Sequence, residues 1–394
     1  MKLAIVSPYP PLGCKHSYGS GVASYTKNLA ESLKMISQSL DVYVISDRRP
    51  GLPARYVDQE IKVYRTFNTD PFCILKVFRE LKKIRPDVIH IQHEYFLYGD
   101  ILSAILFPLL PLFSRLFSRR TVVTIHGVIP LNLLEDVEFK KENEIKGPSW
   151  LLKIGLLLVT RLIALISHIV IVHEEFLKKY LNEDYNINEE KIVVIPHGVE
   201  EADVMSQAEA KKRLGLKNRT VILYFGYLTG YKGIETLIEA YKYVSKQLSR
   251  TILIIAGGKH PRLKNRKWYE HWLEKLVQKA KCIERDLKDG EILFTEFISE
   301  REICMYYSAA DLVVLPYNAR ISASGPEALA IAYERPLLIT SPYRPYNSGT
   351  LGDMMLEVIM KKDDYLKRTK KHKRERIWLN IAKEHIKVYT NQRV

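Results

Sequence analysis

Cysteine is scarce in this chain of 394 residues, and its four copies, Cys14, Cys73, Cys282 and Cys304, lie far apart with no C-x-x-C pair. Such spacing argues against a structural metal site and a disulfide scaffold, and it suits a reducing compartment. A dinucleotide fingerprint is also missing, because the first glycine-rich turn, Gly19-Ser20-Gly21, lacks the G-x-G-x-x-G pattern. No zinc-finger spacing and no RNA-binding motif accompanies the basic residues, so nucleic acid is not an expected partner. The opening MKLAIVSPYPPLG holds too short an apolar run for a signal peptide and reads as a first strand, which predicts a cytoplasmic protein.

Long hydrophobic runs are few. Residues 101–117 and 150–166 are unusually apolar, yet a span needs about 20 apolar residues. The first run is short and broken by Pro108 and Pro111, and the second carries Lys153 and Arg161, so neither reads as a transmembrane helix. Two readings stand: helices packed on a sheet, or an apolar stripe at an anionic bilayer surface with Lys153, Arg161, Arg115, Arg119 and Arg120 near head groups. On the second, the protein sits peripherally on the inner face of the membrane.

What is present suits two globular domains. The apolar share is 47% and the charged share 27%, as in soluble folds with sizeable cores. The net charge of +15 is lopsided: residues 1–200 hold 25 Lys and Arg against 22 Asp and Glu, leaving +12 for the rest. Residues 361–376 alone carry 9 basic and 3 acidic side chains. Such a run is either a solvated helix face or a surface attracted to phosphates.

Residues 87–93, 121–126, 168–173 and 191–197 are largely apolar and each finishes in histidine: His93, His126, His173 and His197. Separated by helix-length segments, they predict parallel strands buried on both faces, with ligands outside the carboxyl ends. His90 and His93 differ by an odd number along one strand, so they point to opposite faces and cannot chelate together. No metal is required. A polar connection over 200–218 predicts the hinge, and strands near 220–226, 251–257, 291–297, 311–316 and 336–340 predict a second α/β unit. Residues 378–389 repeat apolar side chains at helical spacing. The fold class is α/β, in two units facing across a cleft.

Residues 309–340 predict a strand, a polar loop, a helix opened by Ser324-Gly325-Pro326-Glu327, and another strand. Free N–H groups at that helix start, with Glu327 in the first turn, form a place for an anion.

This stretch resembles the donor segment of retaining glycosyltransferases of family 4, of the glycogen synthase and mannosyltransferase kind. The resemblance runs from Gly19-Ser20-Gly21 through His126-Gly127 and Lys232-Gly233 to Glu327. It implies a GT-B fold of two Rossmann-like domains, an acceptor-binding one over 1–200 and a nucleotide-sugar-binding one over 201–375, with residues 376–394 packing back on the first. It implies a hexosyl transfer from a UDP- or GDP-linked sugar to a glycan or lipid-linked acceptor; the nucleotide sugar is a substrate, and no cofactor is expected.

By the same resemblance, Gly19, Gly21, Gly226, Lys232 and the backbone of Ser322, Ala323 and Ser324 meet the donor phosphates. Glu327 accepts the ribose hydroxyls, and His93 and His126 face the sugar or acceptor. Two positions depart from the family: Ala319 stands where its first glutamate would be, and Tyr227 where its arginine would be. Arg320 is the candidate to restore the missing cation. The departures leave two rivals, a donor-binding protein without transferase activity and a sugar-nucleotide epimerase; no acidic pair suited to the second stands in the matching loops.

Overall fold

The computed structural model describes residues 1–14, 21–341 and 346–391. Eight strands form the first sheet: β1 Lys2–Val6, β2 Asp41–Asp47, β3 Arg55–Asp58, β4 Ile61–Phe67, β5 Val88–His93, β6 Arg120–Ile125, β7 Ile169–Val172 and β8 Ile192–Val194. Their order is β3-β4-β2-β1-β5-β6-β7-β8, parallel except for the edge hairpin of β3 and β4. The second sheet holds β9 Thr220–Phe225, β10 Thr251–Ala256, β11 Gly290–Thr295, β12 Leu312–Leu315 and β13 Leu337–Ile339 in the order β11-β10-β9-β12-β13, all parallel. The apolar runs behave as predicted because parallel strands are covered on both faces; every residue of β5, β10 and β12 is buried.

Each sheet separates two apolar clusters, one on each face. The last helix, Trp378–Thr390, belongs to the first domain's core: Trp378, Ile381, Ala382, Val388 and Tyr389 pack with Leu3, Leu29 and Leu33. Its His385 and Tyr389 reach inward, where Tyr25 Oη donates to His385 Nε2 at 3.1 Å and Tyr389 Oη lies 2.7 Å from His90 Nδ1. The histidine at position 90 is thus an interior residue, and His93 on the opposite face packs on Phe107.

Three local readings change. The connection over 200–218 contains the helix Gln207–Arg213, capped by Ser206, and Gln207 and Lys211 tie it to Asp311, so most of this stretch belongs to the second domain. The helix after β9, which the sequence places from about Lys232 to Leu248, runs over Ile234–Gln247, because Gly230–Lys232 forms a 3-10 turn and Gly233 turns the chain at φ 70. Pro326 takes the second helical position, as Gly325 is the first and Ser324 the cap.

The apolar run at 101–117 becomes two short helices, Ile101–Leu106 and Leu109–Ser114. Residues 150–166 fall in one helix, Ser149–Ile166, which buries Thr160, Ile163 and Ala164 and leaves most of its length outside. By length and composition it is, among the described residues, the one helix able to cross a membrane.

Because Trp378 is 9% exposed and seals the return helix, Trp378→Ala is expected to cost about 3–5 kcal/mol. Urea unfolding followed by tryptophan-independent circular dichroism measures it.

Candidate active site

The carboxyl ends of the two sheets meet. Gly127 and Ser322 form an antiparallel bridge, with Val128 N–H donating to the Ile321 carbonyl at 2.7 Å. Nearby, Glu142 of the first domain accepts from the N–H groups of Gly230 at 2.7 Å and Tyr231 at 3.1 Å. A carboxylate from one domain therefore sits on the turn that leads to Lys232 in the other. Burial pushes the Glu142 carboxyl up, against the pull of those two N–H groups.

Beyond that turn Gly226, Lys232 and Pro326 converge. Gly226 has φ 135, and a Cβ added there would lie 3.3 Å from Lys232 Nζ and 3.5 Å from Pro326 Cγ. Both the backbone angle and the crowding favour glycine. Gly233 is fixed likewise, since an added Cβ would run into the Pro316 carbonyl oxygen.

The Lys232 ammonium has no hydrogen bond or ion pair among the described residues, and burial lowers its pKa to about 8. Beside it, Ser324 caps the helix Gly325–Ala332 by accepting from Glu327 N–H at 3.2 Å. The N–H groups of Ala323, Ser324 and Gly325 have no acceptor among the described residues. A buried unpaired cation next to open N–H donors is complementary to a phosphate.

Glu327 is less free than its sequence position suggests. Its Oε2 accepts from Arg320 Nη2 at 2.9 Å, and its Oε1 lies 3.3 Å from Arg376 Nη1, which also approaches Glu174 at 3.6 Å. All four side chains are largely buried, and Arg320 lies over the Phe176 ring at 4.5 Å. Arg320, the candidate donor cation, is therefore paired with Glu327 in this arrangement. Burial and the neighbouring Glu327 push the Glu174 carboxyl up.

His126 is equally engaged. His173 Nδ1 lies 2.9 Å from the Ile195 carbonyl, so it carries the proton and its Nε2 accepts from His126 Nδ1–H at 3.1 Å. His126 Nε2 lies 2.8 Å from the Gln92 side-chain amide, which is placed with Oε1 towards it; an accepting Nε2 requires that amide turned so that its NH2 donates. Burial holds the His126 pKa well below its usual value and lowers that of His173 to about 3, so the chain is neutral at pH 7. Tyr25 packs against both rings, at 4.9 and 5.0 Å between centroids.

The structure thus gathers His126, Gly226, Lys232, Arg320, Ser322, Ala323, Ser324 and Glu327 at one junction. Gly21 opens the helix Gly21–Ile36, with nothing within 4 Å of an added Cβ, and Gly19 lies outside the described residues. His93 joins only through its backbone, whose carbonyl accepts from His126 N–H at 2.9 Å; its ring lines another cavity. Sequence reasoning missed Glu142, Glu174, Gln92 and Arg376. The last was visible as the end of the basic run, but nothing local distinguishes it from its solvated neighbours. Among the described residues no group of three or more His, Cys, Asp or Glu could share a metal ion.

Two sequence families match the chain, Glycosyltransferase Family 4 over residues 19–203 and Glycosyl transferases group 1 over residues 206–333. The fold is the two-domain GT-B architecture, and both matching families are glycosyltransferase families. Together the two matches make the chain similar to glycosyltransferases of family 4, although neither alone reaches half of it. It is 25% identical over 254 residues to an uncharacterised glycosyltransferase of Methanocaldococcus jannaschii, covering 60% of this chain and 58% of that one. It is 26% identical over 198 residues to the alpha-monoglucosyldiacylglycerol synthase of Streptococcus pneumoniae, covering 47% and 40%. The chain thus spans under two thirds of either relative's length.

Among solved structures, sucrose-phosphate synthase from Thermosynechococcus elongatus superposes with a TM-score of 0.69 at 19% identity, covering 99% of this chain and 98% of that one. Anabaena HepE in complex with UDP-glucose gives 0.61 at 15% identity, covering 99% and 100%.

Arg376→Ala would leave two neighbouring buried carboxylates short of a cation, and the expected destabilisation is about 3–5 kcal/mol. Its pH dependence follows from Glu174. A carboxyl whose pKa is raised in the fold takes up a proton there before the unfolded chain does. Stability is therefore gained as pH falls through the folded pKa towards the unfolded value, and lost as pH rises. The Arg376→Ala penalty should shrink accordingly at mildly acid pH, and Glu174→Gln added to it should remove that pH dependence; denaturant midpoints across pH 5–8 read both.

Proposed function

We propose that the protein transfers a hexosyl group from a UDP- or GDP-linked donor to an acceptor hydroxyl with retention of anomeric configuration. The observation that carries this reading is the unpaired, buried Lys232 beside the open helix start at Ser324. When a nucleoside diphosphate leaves, negative charge gathers on its β-phosphate, and fixed donors aimed there lower the barrier. A cavity of about 810 Å³ at the carboxyl ends of β10 and β11, bordered by Gly258 and Phe297, adjoins Gly226 through Gly257 and has room for the nucleoside.

Glu327 keeps lone pairs for ribose hydroxyls even while it holds two arginines, since a carboxylate offers about four acceptor sites. Arg320 and Arg376 then orient it as positioning residues. His126, neutral and held at both nitrogens, places the sugar or acceptor with a rigid ring. On this reading the leaving phosphate takes the acceptor proton, and no side chain serves as nucleophile.

A second reading has support in two residues. Ala319 offers no acceptor for sugar hydroxyls, and Tyr227, whose ring lies 5.4 Å from that of His260, brings no cation. A donor-binding protein without transfer would look the same there. Turnover separates them: donor binding with neither transfer nor slow donor hydrolysis supports the second.

Since only the protonated amine attracts phosphate, affinity tracks the charged fraction of Lys232. With a free pKa of about 8, the dissociation constant for UDP or GDP should weaken about tenfold from pH 7 to pH 9. Titration calorimetry measures it, and in Lys232→Met that pH slope should vanish while transfer falls about 10²–10³-fold. A wild-type affinity flat with pH would remove Lys232 from the donor site.

A further inference from the structure

A second cavity, of about 790 Å³, lies in the first domain between Ile101–Leu106 and Ser149–Ile166. Its walls are mainly apolar, with Ile105, Phe107, Leu151, Leu156 and Val159 among them. Its size falls within the range of small-molecule sites. At its inner end stands His93, a buried ring whose Nδ1 has no hydrogen-bond partner among the described residues. The His93 carbonyl holds His126 N–H, so this polar end abuts the junction described above. Arg266 of the second domain also lines the cavity and pairs with Glu144.

The mouth opens on an apolar surface. Ile101, Leu102, Ile105, Trp150, Leu151, Ile154, Leu158, Leu162 and Leu165 are all exposed there. Residues 101–134 and 145–173 contain no Asp or Glu, while Arg115, Arg119, Arg120, Lys146, Lys153 and Arg161 give them a positive charge. An apolar face on helices that carry cations and no Asp or Glu, with Glu135 and Glu144 beside it already paired to Lys153 and Arg266, fits an anionic bilayer surface better than it fits a copy of itself, whose cations would face its own. The helix Ser149–Ile166 is held to the domain along its length: Lys153 pairs with Glu135, Arg161 Nε donates to the Tyr185 carbonyl at 2.7 Å, and Thr160, Ile163 and Ala164 are buried. It therefore lies along the domain surface.

We propose that this cavity is the acceptor site and that the acceptor is a membrane lipid bearing a free hydroxyl, its hydrocarbon chain in the cavity and its head group at His93. The assignment rests on the transferase reading above and names its acceptor class. In the step it implies, the lipid hydroxyl oxygen bonds to the anomeric carbon and the bond from that carbon to the diphosphate oxygen breaks. The hydroxyl proton passes to the departing phosphate, giving a glycolipid and a nucleoside diphosphate. His93 Nδ1, without a hydrogen-bond partner among the described residues, is the group that would meet the lipid hydroxyl.

Vesicle flotation and lipid photolabelling test this without turnover. Wild-type protein should float with phosphatidylcholine vesicles containing anionic phosphatidylglycerol at moderate salt, and a diacylglycerol carrying a diazirine on its acyl chain should label peptides within 93–107 and 143–160. Gly155 lines the cavity, and a Cβ there meets nothing within 4 Å, so Gly155→Phe can fill the mouth without overpacking and should cut labelling at least tenfold. A diazirine-bearing isoprenoid alcohol, run in parallel, distinguishes acyl from isoprenoid chains; labelling of the same peptides by either supports the site.

No flotation, labelling spread over other peptides, or a dimer that hides this face and binds no vesicles would overturn the proposal. UDP and GDP binding by wild type, measured separately, keeps the two readings apart. Nucleotide binding without lipid labelling defeats this inference alone, whereas labelling without nucleotide binding defeats the donor site.

Discussion

Arg376 is where the chain's two crossings between domains are fastened. Its carbonyl accepts from Val199 N–H at 2.7 Å, joining the first crossing to the second, and its guanidinium lies between Glu174 of the first domain and Glu327 of the second. Removing any charge of the Arg320, Glu327, Arg376 and Glu174 set leaves another buried without compensation, the costly case for ionic groups in a protein interior. The position of the Ser324–Glu327 turn relative to His126 thus depends on this set. So does the departure of the last helix towards the first sheet.

The architecture was largely legible in the sequence because parallel strands buried on both faces leave continuous apolar runs, and those at β5, β6, β7, β9, β10 and β12 are bounded by turns and helix-length segments. The return of Trp378–Thr390 to the first domain came from resemblance, and its amphipathic spacing fitted a packed helix without saying on which domain. What sequence periodicity could not expose is partnership over long separations. Glu142 and Gly230 are 88 positions apart, and Glu327 and Arg376 are 49 apart. Nothing in the neighbourhood of either glutamate announces its partner. Arg320 shows the same limit at short range: a vacant family position marked it as a candidate cation for the donor, and the carboxylate seven residues on, at 2.9 Å, is a partner that position did not announce.

The connection over 200–218 failed for another reason. Its charges looked solvated, but Gln207 and Lys211 are long enough to reach Asp311 while Ala210 and Leu216 are buried beneath them. A polar surface sequence can still be a packed helix when only one narrow stripe faces inward. The apolar helix Ser149–Ile166 is the converse case, since a sequence that looks like core is spread over the outside. Burial inside the protein is only one way to take such a face out of water.

Charge balance at the domain junction supplies the remaining step. The four-residue set is neutral when both carboxyls are ionised, so the net positive charge facing a diphosphate comes from Lys232 and the partial charge of about half a unit at a helix start. A diphosphate diester brings a negative charge on each phosphoryl group, more than these sources neutralise. The raised pKa of Glu174 bears on the difference: if a bound donor drew a proton onto that carboxyl, one arginine in the set would lose its counter-charge and the local potential would become more positive. Glu142 acts in the other direction, because its carboxylate already occupies the N–H groups of Gly230 and Tyr231. An arriving phosphate would repel it, and separation at that contact would loosen the two domains on one side while Gly127 and Ser322 still hold the other.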